Sequence, residues 1–332
     1  MADSFIQRVA RTLGFDKPKE NGAPRVAASV FGKHPAWDDH IPELRAGDAR
    51  LVAFRQMLYD GITGNVDSGQ WDKLQRESQL VPWGHTLLLT GGGGDPVAAR
   101  AWYSRDGKGR DRYPMVGAVR CGNLPLAWIA REAFPALQSL QTQCESAGSA
   151  DAVRAVVDAA EEQLLARAGA AAAGPPEFPP EAAARHAMAF LAARPEFGPN
   201  HTGLLRVLYH IEREVAPAPK PPLGKPPEIR PISLRVPTCA ESSARASEVW
   251  SRFLLSRLTM PAPLLVVVPD PAQWVDAIVG PPGVSQIYSL RAPLEVFPFT
   301  SEIPYTLDPE FAARTERFIE GCLGPPAAAA PS

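Results

Sequence analysis

Apolar residues along this chain fall into two kinds of run, and the change from one to the other sets the expected architecture. Between Val26 and Arg120 the runs are short and strand-like: Val26 to Phe31, His85 to Thr90, Val97 to Tyr103 and Tyr113 to Arg120. The last three follow one another across short connections, so an antiparallel meander is the economical arrangement, and all four are expected in one sheet. The first connection, Gly91-Gly92-Gly93-Gly94-Asp95-Pro96, lacks the Lys-Ser or Lys-Thr of a phosphate loop and leads into another strand-like run, so it reads as a hairpin tip. Helical spacing intervenes after Asp48, which is placed to cap a helix carrying Leu51, Phe54 and Leu58 and ending near Gly61. A short helix with Trp71 and Leu74 follows.

From Leu126 onward the apolar spacing turns to three and four. Helices are expected over Leu126 to Cys144, Asp151 to Arg167 (capped by Ser149, with Val153, Val156, Val157, Ala160 and Leu164 on one stripe), Glu181 to Ala193 and Gly203 to Glu214. Six prolines between Val215 and Pro227 make that stretch an extended, semi-rigid linker. Beyond it the pattern predicts strand Ile232 to Val236, helix Ser243 to Leu258, strand Leu264 to Val268, helix Pro271 to Val279 and strand Gln286 to Leu290, an alternation that implies an α/β unit. The expected organisation is a flexible N-terminus (1–25), an α/β domain with a helical second half (26–214), a linker (215–228), a C-terminal α/β unit (229–323) and a disordered Ala/Pro-rich tail (324–332).

Composition narrows the function classes. With 332 residues, 45% apolar and 21% charged, the chain can bury a sizeable core. A net charge of −2 offers no broad basic field for nucleic acid or an anionic membrane. No apolar run approaches the roughly 20 residues of a membrane span. The first fifteen residues carry Phe5, Ile6, Val9, Ala10 and Leu13 at helical spacing and lack the apolar core of a signal peptide; they read as a frayed terminal helix. Cys121, Cys144, Cys239 and Cys322 are too widely and irregularly spaced for a zinc pattern or a disulfide framework, which fits a reducing, cytoplasmic setting.

Chemistry concentrates in two loops. The first, Val30 to Ile41, places His34, Asp38, Asp39 and His40 within seven residues beside Lys33 and Trp37. Two imidazoles and two carboxylates are ligand types for a hard or borderline cation, and a metal-dependent or other hydrolase built on them is one reading. Pro35 interrupts the segment and no helical His pair is formed, so no metal and no cofactor is expected. The plainer reading has Asp38 or Asp39 capping a turn while Trp37 fills a shallow core site. The second loop, Ser104 to Met115, surrounds Asp106 and Asp111 with Arg105, Lys108, Arg110 and Arg112, cations suited to a phosphate or an acidic protein surface. The same residues suit a solvated bend whose charges pair internally, or an arginine held by Asp38 or Asp39 that locks the loops together. A nucleophile is not apparent, since neither Ser68 nor Ser104 lies in a Gly-x-Ser-x-Gly elbow. The expectation is a non-enzymatic recognition surface in which Lys33, Trp37, Asp38 and Asp39 face Asp106, Arg110 and Arg112 and bind a protein partner.

These loops also carry a family resemblance. Phe31-Gly32-Lys33-His34-Pro35 keeps a Gly-Lys-x-Pro frame with Asp39 downstream, and Ser104, Asp106, Gly109, Arg110, Tyr113, Pro114 and Met115 match a Ser-x-Asp-x-x-Gly-Arg block followed by an aromatic, proline and an aliphatic residue. In this the sequence resembles a divergent member of the TagF (ImpM) family of bacterial type VI secretion accessory proteins. His34 replaces the family leucine, Trp37-Asp38-Asp39-His40 replaces a Gly-Asp-Phe portion, and one extra residue precedes Tyr113. The resemblance covers about residues 26–125. It implies an α/β (α+β) fold with a largely antiparallel central sheet flanked by helices, and a non-catalytic, cytoplasmic regulator. Such a regulator represses assembly of the secretion apparatus post-translationally, in some members through an FHA-domain partner.

Overall fold

A computed structural model describes residues 22–41, 47–172, 180–214, 231–258 and 262–323. Seven antiparallel strands form one sheet in the order β1-β4-β3-β2-β6-β7-β5, where β1 is Arg25–Gly32, β2 Gly84–Gly91, β3 Val97–Trp102, β4 Met115–Gly122, β5 Ile232–Pro237, β6 Pro263–Pro269 and β7 Trp274–Val279. The four strands expected together share this sheet. Their order places β1 against β4, with Gly32 opposite Met115. The strands beyond the linker join the same sheet through pairing of β2 with β6, Leu87 opposite Val267.

Period-two alternation sends side chains into two cores, one on each face of the sheet. Leu264, Val266 and Val268 of β6 enter the first, and Leu265 and Val267 enter the second, so this central strand is apolar throughout. The first face is covered by α3 (Phe134–Ser146), α4 (Ala150–Ala172), α5 (Pro180–Ala192), α6 (Thr202–Glu214), α7 (Ser243–Arg257) and α8 (Pro309–Leu323). The second is covered by α1 (Ala49–Asp67), α2 (Gln70–Glu77) and the irregular stretch around Ile287 to Ala292. The expected caps are in place: Asp48 accepts from the Arg50 and Leu51 N–H groups, and Ser149 Oγ from the Ala152 N–H. Val249, Trp250, Phe253 and Leu254 of α7 are all buried.

On each edge strand, whose open backbone could pair with another strand, one N–H is taken up by a side chain. Glu161 of α4 accepts the Ala28 N–H at 2.7 Å, and Thr300 Oγ1 accepts the Arg235 N–H at 3.2 Å.

Three expectations need correction. The first helix does not end at Gly61 but continues to Asp67. Its glycines are contact points: a Cβ on Gly61 would meet Ile287 at 2.3 Å and one on Gly64 would meet Val284 at 2.5 Å. The expected helix Pro271 to Val279 is instead strand β7 from Trp274, because its backbone completes the ladder between β5 and β6 and Arg235 offsets the charge of Asp276. The expected strand Gln286 to Leu290 is a helical turn, Val284–Ile287, followed by a 3₁₀ turn, Tyr288–Arg291. Side chains take up its carbonyls: Tyr288 O accepts from Trp71 Nε1, Ser289 O and Ala292 O accept from Arg235, and Leu290 O pairs with His85 Nε2. The expected N-terminal helix, the linker and the Ala/Pro tail lie outside the described residues.

Candidate functional site

The first loop leaves the end of β1 at Gly32, whose φ of 111° lies in the region that favours glycine. A Cβ there would meet Pro114 O at 2.0 Å, so the glycine of the Gly-Lys-x-Pro frame lets the strand end press against the start of β4. The loop closes on itself: Ile41 N–H donates to Gly32 O at 2.8 Å and Lys33 pairs with His40 in an isolated bridge.

The second loop meets it through Asp106, whose side chain is fully enclosed. Asp106 Oδ1 accepts the Lys108 and Arg110 N–H groups at 3.0 and 2.9 Å, while Oδ2 accepts Lys33 Nζ at 2.9 Å and Arg110 Nε at 2.7 Å. Four donors fill the accepting capacity of one carboxylate. Burial pushes the Asp106 carboxyl up, yet the Arg110 N–H, the Lys33 ammonium and the Arg110 guanidinium together hold it well below the usual carboxylate range. Lys33 also donates to Asp39 Oδ1 at 2.7 Å, and that bond, with the His40 contact, holds Asp39 far below its ordinary value. Gly107 N–H reaches Trp37 O at 2.7 Å, and Arg110 donates to Asp38 O at 2.6 Å. A Cβ on Gly107 would come within 3.0 Å of Asp38 Oδ1, so this glycine permits the close approach of the loops.

This arrangement sorts the expected recognition residues. Lys33 and Asp106 are 3% and 2% exposed, too deep to face a partner, because each is the other's counter-charge; the expectation that they contact one directly is corrected. Asp38, Asp39, Lys108 and Arg110 form the exposed rim above them. Trp37 is half-buried, packs on the main core as the shallow-core reading expects, and meets His34 edge-on at 5.5 Å. Arg112 turns away toward Asp72 of α2, 3.8 Å distant, and takes no part in the latch.

The two histidines of the first loop point into different surroundings. His34 is buried, with Nε2 2.9 Å from Cys144 O and Nδ1 accepting the Ala36 N–H. His40 sits among Tyr59 and Tyr113, ring centroids 5.4 and 4.9 Å away; burial lowers its pKa, with the nearby Lys33 charge adding to the shift and Asp39 opposing it. Among the described residues no three His, Cys, Asp or Glu side chains converge as metal ligands would. Sequence reasoning missed Tyr59 and the Cys144 carbonyl. Tyr59 follows Leu58 on α1 and so points off the Leu51, Phe54, Leu58 stripe that predicts the helix, which is why the stripe does not reveal it.

The comparisons with known proteins add little to this geometry. No protein-family model matches the chain, and no curated protein matches it. Among solved structures, the protein PA0076 from Pseudomonas aeruginosa PAO1 is similar to 45% of this chain at 18% identity, with a TM-score of 0.29. The chain spans 64% of that protein, and a likeness this slight carries no argument. Among the described residues no helix is long and apolar enough to cross a membrane.

Proposed function

We propose that this chain is a non-catalytic accessory regulator of a bacterial type VI secretion system, acting in the cytoplasm by binding a protein partner through the exposed rim of its two-loop latch. One observation carries the reading. The two sequence blocks that resemble the TagF family interlock through the buried bond between Lys33 and Asp106, 73 positions apart. Two loops that served only to turn the chain would not need a shared buried ion pair, whereas a surface that must present Asp38, Asp39, Lys108 and Arg110 in fixed relation does. Buried lysine and aspartate supply that rigidity, and the rim supplies charges of both signs at rotamers already ordered before binding. Repression of apparatus assembly, with an FHA-domain protein as partner, is the activity the resemblance suggests for such a surface.

The test is made in the source organism. Deleting the gene should raise secretion of the apparatus tube protein, and the wild-type gene should lower it again. The double variant Lys108→Ala/Arg110→Ala, folded by circular dichroism, should fail to do so, and should lose capture of the FHA-domain protein in a pull-down by about 30-fold or more if these are hot-spot residues. Unchanged secretion on deletion would defeat the proposal.

A further inference from the structure

Far from the latch in sequence, a cleft of about 570 Å³ opens where α6 begins, β5 ends and the Thr300–Glu302 turn crosses them. That volume lies within the range of small-molecule sites. Its inner wall is apolar, formed by the buried Phe197 and Pro237 and the half-buried Phe299. Its polar groups have unspent capacity. Arg206 donates one bond to Ser301 O at 3.2 Å and has no carboxylate within ion-pair distance among the described residues. Glu196 and Glu302 at the rim likewise have no ion pair among them. Thr202 and Gly203, the first residues of α6, stand on the same wall, so the positive end of that helix adds to the charge of Arg206.

Backbone strain gathers at the same place. Among the described residues the non-glycine positions with positive φ are Asn123, Asn200, His201 and Cys239; Asn200 and His201, with φ of 53° and 55°, bridge the lining residues Pro199 and Thr202 of this cleft. Such conformations are uncommon outside glycine, and they persist where surrounding structure holds a site in a set shape.

We propose that this cleft binds a peptide-sized zwitterion, its carboxylate on Arg206, its ammonium at Glu302 and an apolar side chain against Phe197 and Phe299. Two glutamates against one arginine disfavour a plain phosphate or dicarboxylate, whose charges would all be negative. They favour a ligand that brings a cation as well as an anion. A free peptide and the carboxyl terminus of a protein share the carboxylate and the apolar side chain, but only a free peptide of this size also brings its ammonium to the rim. The site is separate from the rim of the latch and stands whether or not that surface binds a regulator's partner.

The probe is alanyl-phenylalanine, titrated calorimetrically into the full chain beside its C-terminal amide and its N-acetyl form. The parent dipeptide is expected to bind and to raise the thermal midpoint. Loss of the carboxylate as the amide should weaken binding by about tenfold or more, the scale of a hydrogen bond to a charged group. The N-acetyl form should weaken it as well; if it binds as tightly as the parent, the ammonium contact at Glu302 is wrong and the proposal of a zwitterion falls. Arg206→Gln should bind the parent no better than wild type binds the amide. Should that variant fail to fold, Glu302→Gln, an exposed change, carries the same test through the ammonium. No detectable binding at millimolar dipeptide, or equal binding of parent and amide, would overturn the proposal.

Discussion

Two parts of this molecule solve the same problem, the fixing of irregular backbone by buried charge, and they solve it differently. At one end of the sheet Lys33 and Asp106 hold two loops, and their hydrogen bonds continue outward to Asp39 and Arg110 on the surface. Under the other half of the sheet Arg235 grips Asp276 through two bonds of 2.6 and 2.8 Å and spends its remaining donors on Ala292 O, Phe297 O and Ser289 O. Its guanidinium lies 4.5 Å from the Trp274 ring centroid and 4.8 Å from that of Phe297, so no face is open to water. A closed network of this kind can only support structure. An ion pair that ends in exposed groups also sets what the surface presents.

The largest effect should come from the closed network. Asp276→Ala leaves Arg235 charged and buried, and should cost ~3–5 kcal/mol in urea denaturation. Removing both charges as Arg235→Met/Asp276→Leu should not restore stability, because three carbonyls would lose their donor; full recovery in the double variant would show that the carbonyl contacts are dispensable.

Acid separates the two regions next. His85, beside the Arg235 network, is buried and pairs with Leu290 O at 2.8 Å; burial pushes its pKa down to about 4 from 6.5. The unfolded chain takes up that proton first as pH falls. The stability His85 contributes is therefore full above about pH 6.5 and lost progressively toward pH 4, ~3 kcal/mol in all. Asp39 and Asp106 are held below 3.8, so their contribution is full above that pH and is lost only below it. His40 adds a loss of the same sign as His85 from a half-buried position. Stability measured between pH 7 and 4.5 should thus flatten in His85→Asn more than in His40→Asn. A larger flattening in His40→Asn would place the acid sensitivity in the latch.

In the latch itself, Lys33→Met should lower the thermal midpoint by less than Asp276→Ala does, since Arg110 and two N–H groups still serve Asp106. Its larger consequence should be faster amide exchange at Gly107, whose bond joins the loops, and at Ile41, whose bond closes the first of them. Unchanged exchange would mean that backbone contacts alone hold them.

The sequence made the latch more legible than the network, for a physical reason. Strands Val26 to Phe31 and Leu264 to Val268, and the caps at Asp48 and Ser149, are written in local pattern, and the structure follows them. The meeting of the two loops is legible because their charges are clustered and complementary. Which of those charges would be buried depends on the approach of β1 to β4 at Gly32, a long-range fact that no window of sequence contains. Pattern failed where polar residues at a distance decide local structure. Local pattern assigns Pro271 to Val279 to a helix, and the partner that lets Asp276 sit inside strand β7, Arg235, lies 41 positions away. The same pattern assigns Gln286 to Leu290 to a strand, but the carbonyls of Tyr288, Ser289 and Leu290 are met by Trp71, Arg235 and His85 rather than by a neighbouring strand. Local pattern also ends the first helix near Gly61, and no window of sequence shows that Ile287 presses on that glycine.

The smallest expected effect tests where the latch ends. Arg112 belongs to the same charged loop as Arg110, and composition alone gives the two no different roles. Arg110 shares Asp106 with Lys33 and reaches across to Asp38 O, whereas Arg112 faces Asp72 at 3.8 Å with both side chains about 60% exposed. An exposed pair at that distance is screened and entropically costly to hold. Arg112→Ala should change stability by less than about 0.5 kcal/mol and leave exchange at Gly107 as it was. It should also leave capture of the proposed FHA-domain partner at wild-type strength, while Arg110→Ala weakens it. If Arg112→Ala weakens capture as much as Arg110→Ala, the recognition surface extends along the loop to α2, and the latch would be one edge of it rather than its centre.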